Sequence, residues 1–253
     1  MQLHSIRGSN FPYLIRYNYL MELEVMERLI CALSFRQKKW FLVGGGLTVL
    51  IIGYYFISHA PIVPIVPIVH LHVDESIPFW PWTVWIYLIG LYFPIPYIIE
   101  KARSPETLVT ALLATLCSGF VAFAFFWLVP MAYPRPSVIS GGDAISNQLL
   151  AWVYLVDSPI NTFPSLHVAY STIFYLVIKE EVPSQRLFFF VNLCLILAST
   201  LTTKQHFLLD GIAGVLLALI SFRAARALVS RPHFAKISLL FDKRSQVEPS
   251  NSP

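Results

Sequence analysis

Residues 204–222 read KQHFLLDGIAGVLLALISF: a lysine, a glutamine and a histidine, then an apolar run broken by one aspartate. The run from Leu208 to Phe222, with a few flanking residues, approaches the roughly 20 residues an α-helix needs to cross hydrocarbon. Ionisable side chains at the mouth of such a segment are costly, and the default expectation for them is a functional site. His206 and Asp210 are four apart, so on a helix they share one face and lie within reach of each other. A carboxylate on one imidazole nitrogen fixes the tautomer and leaves the other nitrogen basic, as a general base or nucleophile requires. A lone His-x3-Asp is also an ordinary structural pair, so the rest of the chain must decide.

Two further strings lie at comparable positions. Phe163-Pro164-Ser165-Leu166-His167 opens the apolar run Leu166–Ile178, and Tyr133-Pro134-Arg135-Pro136 follows the run Leu108–Val129. Pro-Ser before an apolar segment reads as a helix start, with Ser165 placed to cap it or to donate to an anion. Three more runs, Trp40–Ile57, Trp82–Ile99 and Leu187–Leu201, bring the expected crossings to six. With 56% hydrophobic and 13% charged residues and a mean hydropathy of +0.64, the chain is too apolar for an ordinary soluble domain. The fold class expected is all-α, a polytopic membrane protein with a six-helix bundle. The runs at 166–178 and 187–201 are short, and a broken or tilted helix is the alternative there.

Charge orients the bundle. With the N-terminus in the cytoplasm and six crossings, segments 1–39, 100–107, 179–186 and 223–253 lie inside and carry 16 of the 18 Lys and Arg. This is the positive-inside bias. It accounts for the net charge of +4 without nucleic acid, and none is expected as a partner. The two exceptions are Arg135 and Lys204, both on the outer face and both inside the suspicious strings.

The expected organisation has three parts. Residues 1–39 form a cytoplasmic amphipathic segment, in which Leu20, Leu23, Met26, Leu29, Ile30 and Leu33 repeat at helical spacing. It either lies on the membrane or packs on the inner ends of the bundle. Residues 40–229 form the catalytic membrane domain, with its motifs within about 82–225, and 230–253 form a basic, then disordered, cytoplasmic tail. The first apolar run begins too far along, and ends too poorly, for a cleavable signal. Cys31, Cys117 and Cys194 are scattered and read as core residues, not as a disulfide or metal framework.

In the outer segment 58–81, three Pro-Ile-Val units from Pro61 to Val69 suit polyproline II and suggest a semi-rigid lid or strut. Trp80, Trp82 and Trp85 resemble an interfacial belt. His70-x-His72-x-Asp74 offers metal-ligand residue types without helical spacing, and no metal is expected. The stretch 131–165 reads as the longest outer loop, turning at Gly141-Gly142-Asp143.

Alternation brings His206, Asp210 and His167 to one face, beside Arg135 and Lys204. Phosphate favours guanidinium forks, ammonium charge and hydroxyl or amide donors. Arg135, Lys204 and Ser165 supply these, with Tyr133 and Gln205 as further candidates. A second histidine provides the acid that a leaving oxygen needs. The residues therefore point to phosphoester chemistry, whereas a lipid-phosphate transporter would use the basic residues and have no need of paired histidines.

These strings resemble the type 2 phosphatidic acid phosphatase superfamily, particularly its inositol phosphorylceramide synthase branch. Phe163–His167 is similar to that family's second motif, with Leu166 where glycine is usual. Thr202–Asp210 is similar to the third, and Tyr133–Pro136 to the end of the first. The resemblance implies that His206 attacks phosphorus, Asp210 orients it, His167 protonates the leaving group, and Ser165 and Arg135 hold phosphate. Two departures stand out: Leu128 occupies the place of a lysine seven residues before the arginine, and Ser199-Thr200 replaces Ser-Arg. The expectation is a metal-independent lipid phosphatase, with transfer to a lipid alcohol such as ceramide or diacylglycerol as the alternative. The substrate is a membrane phospholipid or lipid phosphate, and the active site lies near the periplasmic or lumenal face.

Overall fold

A computed structural model describes residues 33–59, 63–67 and 69–232. The expected amphipathic helix around 20–33 and the tail beyond 232 lie, all but Leu33, outside the described residues. The elements run α1 (Phe35–His59), β1 (Val66–Pro67), α2 (His72–Ser76), a 3-10 turn (Pro81–Thr83), α3 (Val84–Tyr92), α4 (Pro94–Lys101), α5 (Pro105–Leu128), β2 (Met131–Ala132), α6 (Ala144–Val156), α7 (Leu166–Glu181), α8 (Arg186–Thr202) and α9 (Leu208–Val229). Five spans among the described residues are long and apolar enough to cross a membrane: Phe35–Ser58, Pro81–Lys101, Pro105–Leu128, Pro183–Thr202 and Leu208–Val229. The chain is therefore an integral, multi-pass membrane protein. Its sixth expected segment forms α7, which has 16 residues and so rises only about 24 Å.

α7 is the centre of the bundle, packed against α5, α8 and α9, with α1 outside α5 and α3 against α8. Its apolar side chains Val168, Ala169, Ile173, Val177 and Ile178 are fully buried. By contrast, Phe41, Ile51 and Phe56 on α1 and Leu187 on α8 are about 70% exposed, a distribution costly in water and ordinary against lipid. Cys117 and Cys194, expected in the core, are exposed on α5 and α8. In a membrane helix an apolar neighbourhood does not imply the interior, because the outward face is apolar too.

Small residues let α9 approach α7. A Cβ added to Gly214 would lie 2.4 Å from the Ser165 carbonyl oxygen, so glycine is required there. Two regions differ from the sequence reading. Val66–Pro67, expected in a polyproline II lid or strut, pairs in parallel with Met131–Ala132, tying the segment after α1 to the one after α5. The stretch 131–165, expected as a loop, contains the 13-residue α6. Asp143 caps α6 by accepting from the Ile145 and Ser146 amides, and Leu150 and Val153 pack on Val84 and Tyr87 of α3. The capping residue and the apolar spacing were both visible in the sequence, within the segment assigned to the loop.

Candidate active site

The end of the bundle where α7 and α9 begin is made by one sharp turn. α8 ends at Thr202, and Lys204 adopts a left-handed φ of 53°. The Gln205 and His206 amides then both donate to the Thr200 carbonyl, at 3.0 and 3.2 Å. This folding back points Gln205 and His206 inward, where they are 1% and 3% exposed. α9 starts two residues later, and Asp210 in its first turn accepts from the Phe207 amide at 2.9 Å. A carboxylate in that position satisfies one of the donors a helix start leaves unpaired.

Asp210 also brings the two histidine strings together. Its carbonyl accepts from the Ser165 amide at 3.0 Å, fixing the start of α7 to the start of α9. Ser165, fully buried, caps α7 through a long 3.4 Å contact from the Val168 amide. His167 follows on the first turn. Its Nδ1 lies 3.2 Å from His206 Nε2, and His206 Nδ1 lies 3.5 Å from Asp210 Oδ2. At its other nitrogen, His167 Nε2 is 2.5 Å from the Tyr87 hydroxyl.

One consistent proton arrangement satisfies this row, given an ionised Asp210. His206 carries its proton on Nδ1, facing the carboxylate, so Nε2 offers a lone pair. His167 then donates from Nδ1 to that lone pair and accepts at Nε2 from Tyr87. From Tyr87 to His206 each donor faces an acceptor; His206 Nδ1 approaches Asp210 at 3.5 Å without an aligned hydrogen bond, and Nε2 is the basic nitrogen.

Arg135 reaches the site from the side. Its Nη1 donates to the Tyr154 and Asp157 carbonyls at 3.0 and 2.7 Å, and Nη2 donates to Gln205 Oε1 at 3.3 Å. The guanidinium lies over the Tyr154 ring, 4.6 Å from its centroid. The Asp157 carboxylate lies 3.8 Å from Nη2 and accepts from the Tyr54 hydroxyl of α1. Burial pushes the Asp157 carboxyl up from its ordinary range, opposed by the Tyr54 bond and the arginine. Arg135 Nε is buried without a partner. So is Gln205 Nε2, which lies near the Tyr87 hydroxyl but outside hydrogen-bond geometry. Two buried donors left unpaired beside a basic imidazole nitrogen suit the oxygens of a phosphoryl group.

Lys204 is placed differently from the expectation. Its ammonium donates to the Ile77 carbonyl at 2.6 Å, and burial lowers its pKa despite Asp74 nearby. The left-handed backbone that turns Gln205 and His206 inward aims Lys204 at the Ile77 segment, whereas Arg135 reaches the residue beside His206 through Gln205. Tyr133 is buried with its ring on Phe207, 4.3 Å between centroids, and acts as packing there. His70, His72 and Asp74 do not converge. Asp74 is buried and accepts from the Leu71 and Leu208 amides, at 2.8 and 2.9 Å. His70 lies against Phe207, and the His72 side chain is fully exposed. Among the described residues no three His, Cys, Asp or Glu side chains are grouped to hold a metal.

Three residues beyond those read from sequence enter the site: Tyr87 on His167, Asp157 beside Arg135, and Asp74 on the first amide of α9. Each comes from a different segment; Tyr87 and Asp157 carried no local pattern to mark them, and Asp74 stood out only in the spacing His70-x-His72-x-Asp74, which pointed to a different role. Trp80 binds the same end to α8, its amide donating to the Thr202 carbonyl at 2.9 Å. No match was found among curated proteins or among solved structures. A family model described as the PAP2 superfamily matches residues 65–224, from the segment carrying Asp74 to α9. With paired histidines, an aspartate and an arginine gathered at one end of a membrane bundle, the chain belongs to the PAP2 superfamily, whose members are generally phosphatases or phosphotransferases.

Proposed function

We propose that the chain is a metal-independent lipid phosphatase whose His206 takes the phosphoryl group of a membrane lipid phosphoester. The observation that carries this reading is the row His167–His206–Asp210, with the basic Nε2 of His206 facing the acid nitrogen of His167. The phosphoryl group enters between the two facing nitrogens and parts them. The Nε2 lone pair forms the N–P bond, the P–O ester bond breaks, and the departing oxygen takes a proton from His167 Nδ1. Arg135 Nε, Gln205 Nε2 and the Ser165 hydroxyl stabilise the equatorial oxygens. Water, deprotonated by His167, then attacks the phosphohistidine and releases phosphate.

In this reading the catalytic domain spans 40–229, and α7 is a sixth, short crossing. At about 24 Å it falls short of the roughly 30 Å hydrocarbon layer, so its N-terminus carries the site below the outer surface. The termini are cytoplasmic, in keeping with the placement of basic residues.

Burial favours a second reading. Gln205, His206 and Asp210 are nearly inaccessible, and Asp74 and Ile77 fasten the outer segment over the same turn. A phosphohistidine kept from water would pass its group to a lipid alcohol, as in the inositol phosphorylceramide synthase-like branch. Purified protein given lipid labelled at phosphorus should trap label in an acid-labile, base-stable bond. A lipid extract with and without ceramide or diacylglycerol then separates the readings. Free phosphate alone supports hydrolysis, and an acceptor-dependent phospholipid supports transfer. A chain that traps no label and only moves lipid is a transporter.

A further inference from the structure

Tyr87 lies on α3, outside every sequence motif that marks the site. It is 4% exposed, and its ring packs among Val84, Leu150 and Val153. The ring is also 4.7 Å from the His167 ring by centroid, and its hydroxyl is 2.5 Å from His167 Nε2. α6 supplies Leu150 and Val153, so the otherwise unexplained helix in the outer loop backs this tyrosine.

The two histidines therefore have different partners. His206 is held by a carboxylate, which adds a negative charge and favours keeping a proton on Nδ1 while Nε2 attacks. His167 is held by a neutral hydroxyl, which adds no charge. A hydroxyl both donates and accepts, whereas an ionised carboxylate only accepts. That difference suits a residue whose partner changes protonation during turnover. When His167 is neutral with its proton on Nδ1, Tyr87 donates to Nε2. When His167 is protonated on both nitrogens, its Nε2–H donates to the Tyr87 oxygen. In both states the working nitrogen is Nδ1, the one that faces His206.

We infer that Tyr87 is the positioning residue of the acid, holding His167 so that Nδ1 delivers the proton to the leaving oxygen. The inference rests on the reading of His167 as the acid. In the first half-reaction His167 starts as the imidazolium, its second proton brought in by the monoanionic phosphoryl group as the lipid binds. The ester P–O bond breaks with its electron pair going to oxygen, and the Nδ1 proton goes to that oxygen. His167 is left neutral with its proton on Nε2, bonded to Tyr87. Its Nδ1 lone pair is then placed to take the proton of the incoming water or alcohol in the second half-reaction. The tyrosine keeps its own proton throughout. Without the hydroxyl Nε2 loses its partner in every protonation state, and the ring is free to turn.

The test is Tyr87→Phe, which keeps the ring and its packing and removes the oxygen. It is assayed on two substrates: an alkyl phosphate lipid, whose leaving alcohol needs a proton, and a nitrophenyl phosphate, whose leaving phenolate does not. The expected result is a fall in kcat of about 10- to 100-fold on the alkyl ester, the usual size for an orienting partner. KM on the alkyl ester should be little changed. On the nitrophenyl ester the loss in kcat/KM, which reports only the steps through release of the leaving group, should be under about 3-fold, because that leaving group dispenses with the acid. His167→Ala should show the same contrast, enlarged, and adding Tyr87→Phe to it should cost nothing further.

Equal loss on both substrates, no loss on either, or failure of Tyr87→Phe to fold would each overturn the inference in favour of a structural tyrosine. So would a further loss when the two substitutions are combined. If His206→Ala still turns over the nitrophenyl ester, the failure lies with the phosphohistidine reading. If His167→Ala shows no contrast between substrates, it lies with the assignment of the acid.

Discussion

Arg226 meets Glu180 at 2.5 Å with side chains 49% and 34% exposed, while Arg135 lies 3.8 Å from Asp157 with side chains only 11% and 17% exposed. The shorter pair is at the end of the bundle where α7 and α9 finish, and the longer one is at the end where they begin. Distance would rank Arg226 first, but burial reverses the order. In high dielectric a close pair is worth little, whereas a buried arginine held by two carbonyls, a glutamine and a carboxylate is costly to disturb. The remaining polar contacts do not divide so simply. Beside the exposed Arg36–Glu100 pair, Lys39 is buried and donates to the Glu100 and Ala102 carbonyls, at 3.4 and 3.1 Å. Where α7 and α9 begin, Gln205, His206, Asp210 and Asp74 are buried and joined to Arg135, to backbone amides or to one another, while Glu75 meets His70 and His72 in the open. What sets that end apart is a buried cluster of ionisable side chains drawn from several elements.

The largest test of this contrast is His206→Ala. Loss of the attacking nitrogen should lower kcat/KM on the order of 10⁴-fold or more and abolish phosphate trapping. The fold should survive, with a loss of about 1–3 kcal/mol, because His206 is buried and the His167 Nδ1 donor loses its acceptor. A variant with near-parental turnover would remove His206 from the mechanism.

Arg135→Ala should harm both properties. Activity should fall about 10²- to 10³-fold through loss of a charge-stabilising donor. Stability should fall by about 3–5 kcal/mol, because the mostly buried Asp157 loses its ion-pair partner and retains the Tyr54 hydroxyl, which brings no compensating charge. Adding Asp157→Asn should restore much of the stability and none of the activity. Recovery of activity in the double variant would mean that Arg135 only balances Asp157. Arg135→Lys should resemble the alanine variant in activity, since an ammonium cannot bridge the Tyr154 and Asp157 carbonyls and Gln205 together.

What could be read in advance separates along the same line. The apolar runs predicted five of the crossing helices, and His206, Asp210 and His167 could be named because helical spacing and alternation act locally along the chain. Arg135 stood out because it resisted the positive-inside bias. Tyr87, Asp157 and Asp74 could not be found that way, since their partners lie 80, 22 and 134 residues distant in sequence. Lys204 was misread for a related reason. Its charge and location suited phosphate, but the side chain follows a left-handed backbone that no residue pattern announced. α6 was missed although Asp143 marked its start, because a long loop with a Gly-Gly turn discouraged a helix there.

Smaller effects probe what holds the starts of α7 and α9 together. Gly214→Ala places a methyl against the Ser165 carbonyl and forces α9 away from α7, at a cost of about 1–3 kcal/mol. Because that carbonyl belongs to the residue before Leu166-His167, kcat should fall as well; a stable, fully active variant would show that the helix spacing is not critical. Asp74→Ala removes the acceptor for both the Leu71 and Leu208 amides. The expected loss is about 1–2 kcal/mol, in the upper range for a helix cap. Proteolysis within the outer segment should become faster.

The smallest effect belongs to the pair with the shortest distance. Arg226→Ala breaks a two-pronged contact with Glu180, at 2.6 and 2.5 Å, and also lifts the guanidinium off the Phe222 ring, 4.7 Å away. Both side chains remain in reach of water, which solvates each charge once the other is gone, and neither is left uncompensated. The loss should therefore stay under about 1 kcal/mol, and the difference from the parent should shrink as salt is raised from 0.05 to about 0.5 M. The Arg135→Ala deficit should be nearly indifferent to salt, because ions do not screen a buried carboxylate. A salt-independent loss of several kcal/mol at Arg226 would show that the two ends of the bundle follow the same rule, and burial would no longer explain the difference between the two arginines.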